Sequence, residues 1–202
     1  MDITQPPLAR SGRPTGRIAV ILREPFRALT WRRFAYIVLA LPVGILCIPL
    51  ALLGGQAGHI QRALAQRLLG VEVEAPERNG PLTLVHAVIS APLNLVAAMF
   101  SGLFWFVVAI NLGYPLRPDN DTSDSWGGPT MAGAWAVHAA GGLGFLLVAP
   151  WVIKGFTTLQ GRLVRGFLGA DRRGLLKTTS LALTVAALCC LLSIPLIHQA
   201  QG

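Results

Sequence analysis

Four polar side chains in apolar surroundings are the residues of this sequence that could do chemistry inside a membrane. His86, Asn94 and Asn111 lie in one long apolar stretch, and His138 lies in the next. Polar and ionisable groups are costly at membrane depth and are therefore functional candidates. Histidine titrates between pH 5 and 8, so proton sensing is one hypothesis. The alternative is a structural role for both histidines. The His86 ring would lie at the membrane interface with its polar atoms in water, and His138 would form a buried hydrogen bond to Asn94 or Asn111.

A second group of candidates lies in the polar segment between two apolar stretches, residues 113–130. The side chains that could face a ligand there are Asp119, Asp121, Asp124 and Trp126. The acidic run resembles a calcium loop, but Ser123 stands where Asp or Asn is needed and Asp124 stands where Gly is needed. We therefore expect no metal. A solvated acidic turn and weak capture of cationic ligands remain the alternatives, and Trp126 is expected to anchor at the membrane interface.

No catalytic arrangement is recognisable in the sequence. It lacks the Ser/His/Asp, Cys/His and H-E-x-x-H patterns, phosphate-binding glycine loops, and carboxylates paired with a base. Gly141, Gly142 and Gly144 lie inside an apolar stretch and are expected to serve packing. The three cysteines also lie in apolar stretches, which predicts no disulfide. The prediction is a non-enzymatic protein without cofactors.

The elements that must position these residues follow from composition. The chain has 202 residues, of which 53% are hydrophobic and 13% charged, whereas about 25% are charged in soluble proteins. Four stretches are long enough, or nearly so, to cross a bilayer: 34–53, 88–112, 131–153 and 180–197. The sequence predicts an all-α integral membrane protein. The net charge is +8, and the Lys and Arg residues that give rise to it flank the apolar stretches. This position favours anionic lipid over nucleic acid as the partner.

Two pairs of segments indicate a degenerate internal repeat. Residues 31–45 align with 81–95 at an offset of 50, and residues 60–70 align with 159–169 at an offset of 99. Each of the latter two segments reads as an amphipathic helix with arginines off its apolar face. We therefore expect two hairpins, the first shortened, followed by a C-terminal helix.

Charge decides the expected topology. Four full crossings would divide the 17 Lys and Arg residues almost equally between the two sides. If 34–55 instead enters and leaves on one face, 16 of the 17 lie on one side, which the positive-inside rule makes cytoplasmic. Pro42 and Pro49 favour such a re-entrant hairpin, and an ordinary span is the alternative. The N-terminus is expected in the cytoplasm of a bacterium.

These inferences divide the chain into nine segments. They are a basic N-terminal segment (1–33), the first apolar segment (34–55), an amphipathic helix with linker (56–81), a transmembrane helix (82–112), an acidic extracytoplasmic loop (113–130), a transmembrane helix (131–153), a basic amphipathic cytoplasmic segment (154–174), a last transmembrane helix (175–197) and a tail (198–202).

Three segments give the chain a family resemblance: TWRRFAYIVLALPVGIL (30–46), RALAQRLLGVEVEAP (62–76) and GFLLVAPWVIKGFTTLQGRLVRGFLGAD (144–171). They resemble the actinobacterial "putative sensor" membrane domain, which often precedes a sensor histidine kinase. The resemblance implies two hairpins that each end in an amphipathic helix. In this chain the first hairpin is shortened and an apolar segment stands in place of the kinase.

The resemblance implies a multi-pass sensor or regulatory module that signals through a membrane or cytoplasmic partner protein. The alternative is an accessory or assembly subunit of a transporter or envelope complex. A stripe of small residues, Ala136, Ala140 and Gly144, would allow close helix approach, and with the re-entrant hairpin it suggests a homodimer. The resemblance transfers no functional residues.

Overall fold

The computed structural model describes residues 15–53, 56–74, 80–118, 121–170 and 172–201, without the side chains of residues 15, 17 and 195–201. Its helices are α1 (Thr15–Arg23), α2 (Ala28–Leu52), α3 (Ala57–Leu69), α4 (Gly80–Leu112), α5 (Met131–Leu168) and α6 (Leu175–Gln201), with 3-10 turns at Glu24–Phe26 and Tyr114–Leu116. No strand occurs in these ranges. The all-α prediction is confirmed.

Four of the helices are long and apolar enough to cross a bilayer. They are α2, α4, α5 and the Leu175–Ile194 part of α6. At a rise of 1.5 Å per residue, α4 is about 50 Å long and α5 about 57 Å, against a hydrocarbon core of about 30 Å. Both helices therefore extend beyond the core.

Helix α2 decides between the two alternatives left open for 34–55. A re-entrant turn would interrupt the backbone near Pro42 or Pro49, but the helix runs through both. Each proline removes one N–H donor, while the remaining backbone groups have no other partners in lipid and stay bonded within the helix. The predicted turn inside this segment is therefore wrong. The chain reverses only after α2 has ended.

The reversal brings α3 back alongside α2. Near the end of α2, the Cys47 thiol donates to the Ala57 carbonyl oxygen at 3.6 Å. At the other end, the Arg32 guanidinium donates to the Arg67 carbonyl oxygen. The start of α2 and the end of α3 consequently lie together, so the two helices form an antiparallel pair.

Helix α4 is the axis of the fold and lies antiparallel to both α2 and α5. Trp31 of α2 stacks on Trp105 of α4 with ring centroids 4.7 Å apart. On the α5 side, Phe104 meets Phe145 with centroids 5.2 Å apart. Helix α6 packs against α4 and α5. The largest hydrophobic core lies where these helices meet, around Leu93, Ile153 and Leu163.

Helix α5 joins two segments that the sequence analysis separated. The predicted transmembrane helix 131–153 and most of the amphipathic segment 154–174 form one helix of 38 residues. Pro150 lies inside it without ending it. The helix continues beyond Lys154 because the packing of its amphipathic end on α3 stabilises the helical backbone there.

The small-residue stripe on α5 does not pack within this chain. Ala136, Ala140 and Gly144 are exposed. The close approach uses Gly142, where an added Cβ would lie 3.1 Å from the Asn111 Cβ. The stripe therefore makes no close contact with α4, and its role in a homodimer stays a prediction.

Candidate functional site

The strongest candidate site is a buried polar cluster where four helices meet. We call Gln61, His86, Asn94 and Gln160 the central polar cluster. It surrounds a small cavity of about 10 Å³, which is on the scale of one water molecule. The cavity is lined by Tyr36, Ala40, Val43, Gly44, Gln61, Leu64, His86, Ser90, Asn94 and Gln160.

Hydrogen bonds through the cluster connect all four helices. The Asn94 Nδ2 of α4 donates to the Ala40 carbonyl oxygen of α2 at 3.2 Å. The Gln160 Nε2 of α5 donates to the Asn94 Oδ1. The His86 Nδ1 of α4 lies 2.7 Å from the Gln61 Oε1 of α3. Since side-chain hydrogen bonds across membrane helices stabilise their association, the cluster fixes how the helices pack.

The cluster is only partly satisfied. Within the described part of the chain, three of its buried atoms have no hydrogen-bond partner: the Gln61 Nε2, the His86 Nε2 and the Gln160 Oε1. A buried polar atom without a partner costs about 1–3 kcal/mol. The cluster therefore has a donor and acceptors that could bond to another group. The cost of these unpaired atoms favours any arrangement that pairs them.

A glycine makes room for this arrangement. A Cβ at Gly44 would lie 3.2 Å from the Asn94 Nδ2, inside an ordinary van der Waals contact. Because Gly44 has no side chain, α2 approaches α4 closely enough for the Asn94 amide to reach the Ala40 carbonyl. The same close approach leaves Asn94 with a relative exposure of 5%.

The cavity lining contains residues that the predicted repeat pairs with each other. The offset of 50 pairs Tyr36 with His86, Ala40 with Ser90, and Gly44 with Asn94, and the offset of 99 pairs Gln61 with Gln160. All eight of these residues line the cavity. The two sets of repeat-related residues therefore face each other across it.

The structure brings together two of the four predicted membrane residues, His86 and Asn94. His86 is not an interfacial ring with a wet tip, because it has a relative exposure of only 4%. The sequence analysis missed Gln61 and Gln160, since glutamines on amphipathic helices are expected to face water. Their match in the repeat alignment was the available indication that they share a position.

The other two predicted residues, Asn111 and His138, lie towards the opposite end of α4. Asn111 donates to the Val107 carbonyl oxygen of its own helix at 2.8 Å. The His138 Nδ1 lies 2.9 Å from the Ala134 carbonyl oxygen. The expected bond from His138 to Asn94 or Asn111 is therefore wrong: each polar group has a nearer partner in its own helix, and Asn94 belongs to the central polar cluster.

His138 belongs instead to a ring stack beneath the polar loop. Its ring stacks on Tyr114 with centroids 4.0 Å apart. The Arg117 guanidinium lies 4.6 Å from the Tyr114 ring centroid, a cation–π distance. The Tyr114 hydroxyl is 2.7 Å from the Ser125 hydroxyl oxygen. This stack holds the loop on the first turns of α5.

The acidic loop candidates do not converge on one site. Asp121, Asp124 and Trp126 are exposed, Trp126 with a relative exposure of 81%, and Asp119 lies outside the described residues. Across the described residues, no three His, Cys, Asp or Glu side chains are grouped as metal ligands would be. The loop is therefore a surface around the Tyr114 stack.

Asp121 offers a local test of the loop geometry. The Ser123 N–H donates to the Asp121 Oδ1 at 2.9 Å, and this bond lowers the pKa of Asp121. The carboxylate therefore supports the turn at neutral pH, and its support is lost as the pH falls through the lowered pKa.

We expect Ser123→Pro to raise the pKa of Asp121 towards its ordinary value, because proline has neither the N–H nor the hydroxyl through which Ser123 lowers it. Proline suits the second position of the turn that the Ser125 N–H closes on the Thr122 carbonyl oxygen. An NMR titration of the Asp121 carboxyl measures the shift. An unchanged titration midpoint would contradict the role of the Ser123 N–H.

Arginines connect the ends of α3 and α5 to their neighbours. Arg32 donates to the Arg67 carbonyl oxygen near the end of α3, and Arg62 donates to the Leu168 carbonyl oxygen at the end of α5 at 3.3 Å. Positive groups at helix C-termini satisfy the last carbonyls and oppose the helix dipole. Arg33 and Arg165 line a nearby cavity of about 440 Å³. These arginines thus form a basic surface that runs along α3, between the start of α2 and the end of α5.

Comparison with known proteins agrees with this architecture. The chain matches no curated protein and no solved structure. The family described as "Putative sensor" matches residues 43–168, a range that begins inside α2 and ends with α5 and thus contains the central polar cluster. Because this range is more than half of the 202 residues, the chain belongs to the "Putative sensor" family.

Proposed function

We propose that this protein is a non-enzymatic membrane sensor or regulatory module that passes a signal to a partner protein. The observation that supports it is the central polar cluster, in which α3 and the end of α5 are hydrogen-bonded to the transmembrane helices α2 and α4. The family supplies the sensor class. The cluster supplies a physical route between the membrane interior and the basic surface along α3.

The route works through the two amphipathic helices. Gln61 and Gln160 face the cluster, while Gln66 and Arg67 on α3 and Arg165 on α5 are exposed. A rearranged cluster would release or rotate the buried faces of these helices and thereby change the surface offered to a partner. Such a two-state element is what a membrane switch requires.

The basic surface along α3 is proposed to face the cytoplasm. It contains Arg32, Arg33, Arg62, Arg67 and Arg165, whereas the loop at 113–130 contains a single Arg and no Lys. This distribution agrees with the positive-inside rule. A signalling partner would then meet the exposed faces of α3 and α5.

We expect Gln61→Leu to loosen α3, because it removes the partner of the His86 Nδ1. A bond of this kind contributes about 0.6–1.7 kcal/mol in membrane proteins, which corresponds to a roughly three- to eighteenfold change in an opening equilibrium. The measurement is maleimide labelling of a cysteine introduced at Ala65, which is fully buried on α3. The background is Cys47→Ala, Cys189→Ala, Cys190→Ala.

Ala182→Cys is the matched control, since Ala182 is also fully buried but lies on α6. The labelling rate should rise in Gln61→Leu at position 65 and stay constant at position 182. A rise of the same size at both positions would indicate general destabilisation. No change at position 65 would contradict the coupling of α3 to the cluster.

Purification of the full chain from its native membrane in mild detergent tests the signalling role. We expect a kinase, a response regulator or a repressor to copurify, and its yield should change in Gln61→Leu. Copurification of transport or envelope components would support the accessory-subunit alternative. Recovery of the chain without any partner would contradict both.

A further inference from the structure

A groove between α5 and α6 combines apolar walls with a charged rim. Its volume is about 520 Å³. Its walls include Val152, Phe156 and Leu159 of α5 and Leu181 and Val185 of α6. Phe156 and Leu159 are buried, whereas Leu181 is half exposed. Such walls suit a flexible hydrocarbon chain better than a polar ligand.

The rim of the groove is positively charged. Lys154, Thr158 and Arg162 line it at intervals of four residues on α5, so they share one helix face over about 12 Å. The lining residues include no Asp or Glu. Across the described residues, neither cation has a carboxylate partner. The rim therefore offers two free cations and a hydroxyl to an anion.

An aromatic ring fixes one of these cations beside the walls. The Lys154 Nζ lies 5.3 Å from the Trp151 ring centroid. Lys154 is also the first charged residue after the apolar run 131–153. Tryptophan and lysine at the end of an apolar run are typical of the headgroup level of a bilayer. Lys154 thus lies where a lipid phosphate lies, and Trp151 and Val152 of the groove lie on its acyl-chain side.

We propose that this groove binds an anionic phospholipid of the surrounding bilayer. Lys154, Arg162 and the Thr158 hydroxyl hold the phosphate-bearing headgroup, and the apolar walls of α5 and α6 hold an acyl chain. Charge complementarity selects an anionic lipid over a zwitterionic one, because a headgroup without net charge gains less from two cations. The site is independent of the signalling partner proposed above.

Tryptophan quenching by brominated lipids tests this proposal on the purified full chain in nanodiscs. The host lipid is phosphatidylcholine, and the probe is acyl-brominated phosphatidylglycerol or acyl-brominated phosphatidylcholine at increasing mole fraction. The difference in emission between the wild-type protein and Trp151→Phe is the signal of Trp151, which lines the groove. At about fivefold per cation near an anionic lipid, we expect a roughly thirtyfold preference for phosphatidylglycerol.

The double variant Lys154→Gln, Arg162→Gln should abolish this preference. Arg165→Gln is the control. Arg165 lies less than one helical turn beyond Arg162 on α5, but it lines the cavity on the α3 side. The variant therefore removes one positive charge from outside the groove. The control should retain the preference. Circular dichroism and elution volume verify that the variants fold.

Three results would overturn the proposal. The first is equal quenching by the two brominated lipids in the wild-type protein, which needs no variant and would indicate unselective annular lipid. The second is a preference that survives in the double variant. The third is a loss of about fivefold in Arg165→Gln, the effect of one cation anywhere near the surface, which would indicate general surface attraction instead of a defined groove.

Discussion

Asn94→Leu is expected to lower the free energy of unfolding by about 1–3 kcal/mol. Leucine has the same branching at Cγ, so the substitution removes the hydrogen bonds while it keeps the shape of the side chain. Asn94 is bonded to the Ala40 carbonyl oxygen and to the Gln160 Nε2. Without Asn94, both polar ends of the Gln160 side chain would be buried without a partner, since the Gln160 Oε1 already lacks one within the described chain.

Ser101→Ala is the matched control for Asn94→Leu. Ser101 lies two turns further along α4 and is fully buried, and its hydroxyl has no partner among the described residues. Removing an unpaired buried hydroxyl is expected to be neutral or to stabilise the fold. Equilibrium unfolding of the purified protein in mixed micelles measures both variants. Equal effects of the two substitutions would contradict a structural role of the central polar cluster.

Gly127→Ala is expected to have the second large effect, at the opposite end of the molecule. Gly127 has a φ of 106°, and an added Cβ would lie 2.3 Å from the Gly133 carbonyl oxygen. Because the contact is with the backbone of α5, the loop would have to leave the start of that helix. We expect a loss of about 2–4 kcal/mol, which combines left-handed strain with overpacking.

Gly128→Ala separates these two causes. Gly128 has a φ of 92°, but a Cβ there meets no atom within 4 Å. It should therefore cost only the strain of the left-handed conformation, about 1–2 kcal/mol. Thermal unfolding and limited proteolysis of the loop measure the difference. Identical behaviour of the two variants would mean that the loop does not pack on α5 through Gly127.

The sequence alone determined the all-helical class and the four apolar segments that are long enough to cross a membrane. Apolar stretches of about 20 residues can satisfy their backbone in lipid only as helices or closed barrels, and here they form helices α2, α4, α5 and α6. The resemblance based on residues 30–171 agrees with the family match to 43–168. The starts of α4, α5 and α6 were thus predictable to within two positions.

The path of the chain at the first apolar segment needed the tertiary structure. Pro42 and Pro49 are compatible both with a turn and with a helix that tolerates two missing donors. The contacts between α2 and α4 decide between the turn and the helix, because α2 packs along α4 from Trp31 to Cys47. That contact exists only in the unbroken helix, and no local pattern in residues 34–55 contains it.

The tertiary structure also decided which residues form the central polar cluster. His86 and Asn94 were predictable because polar groups stand out in apolar stretches, but Gln61 and Gln160 come from segments that read as interfacial helices. They become buried because α3 folds back and α5 continues beyond its apolar run, which places both glutamines beside α4. Composition and period therefore determine which segments enter the membrane, whereas the helix packing determines which of their polar groups meet.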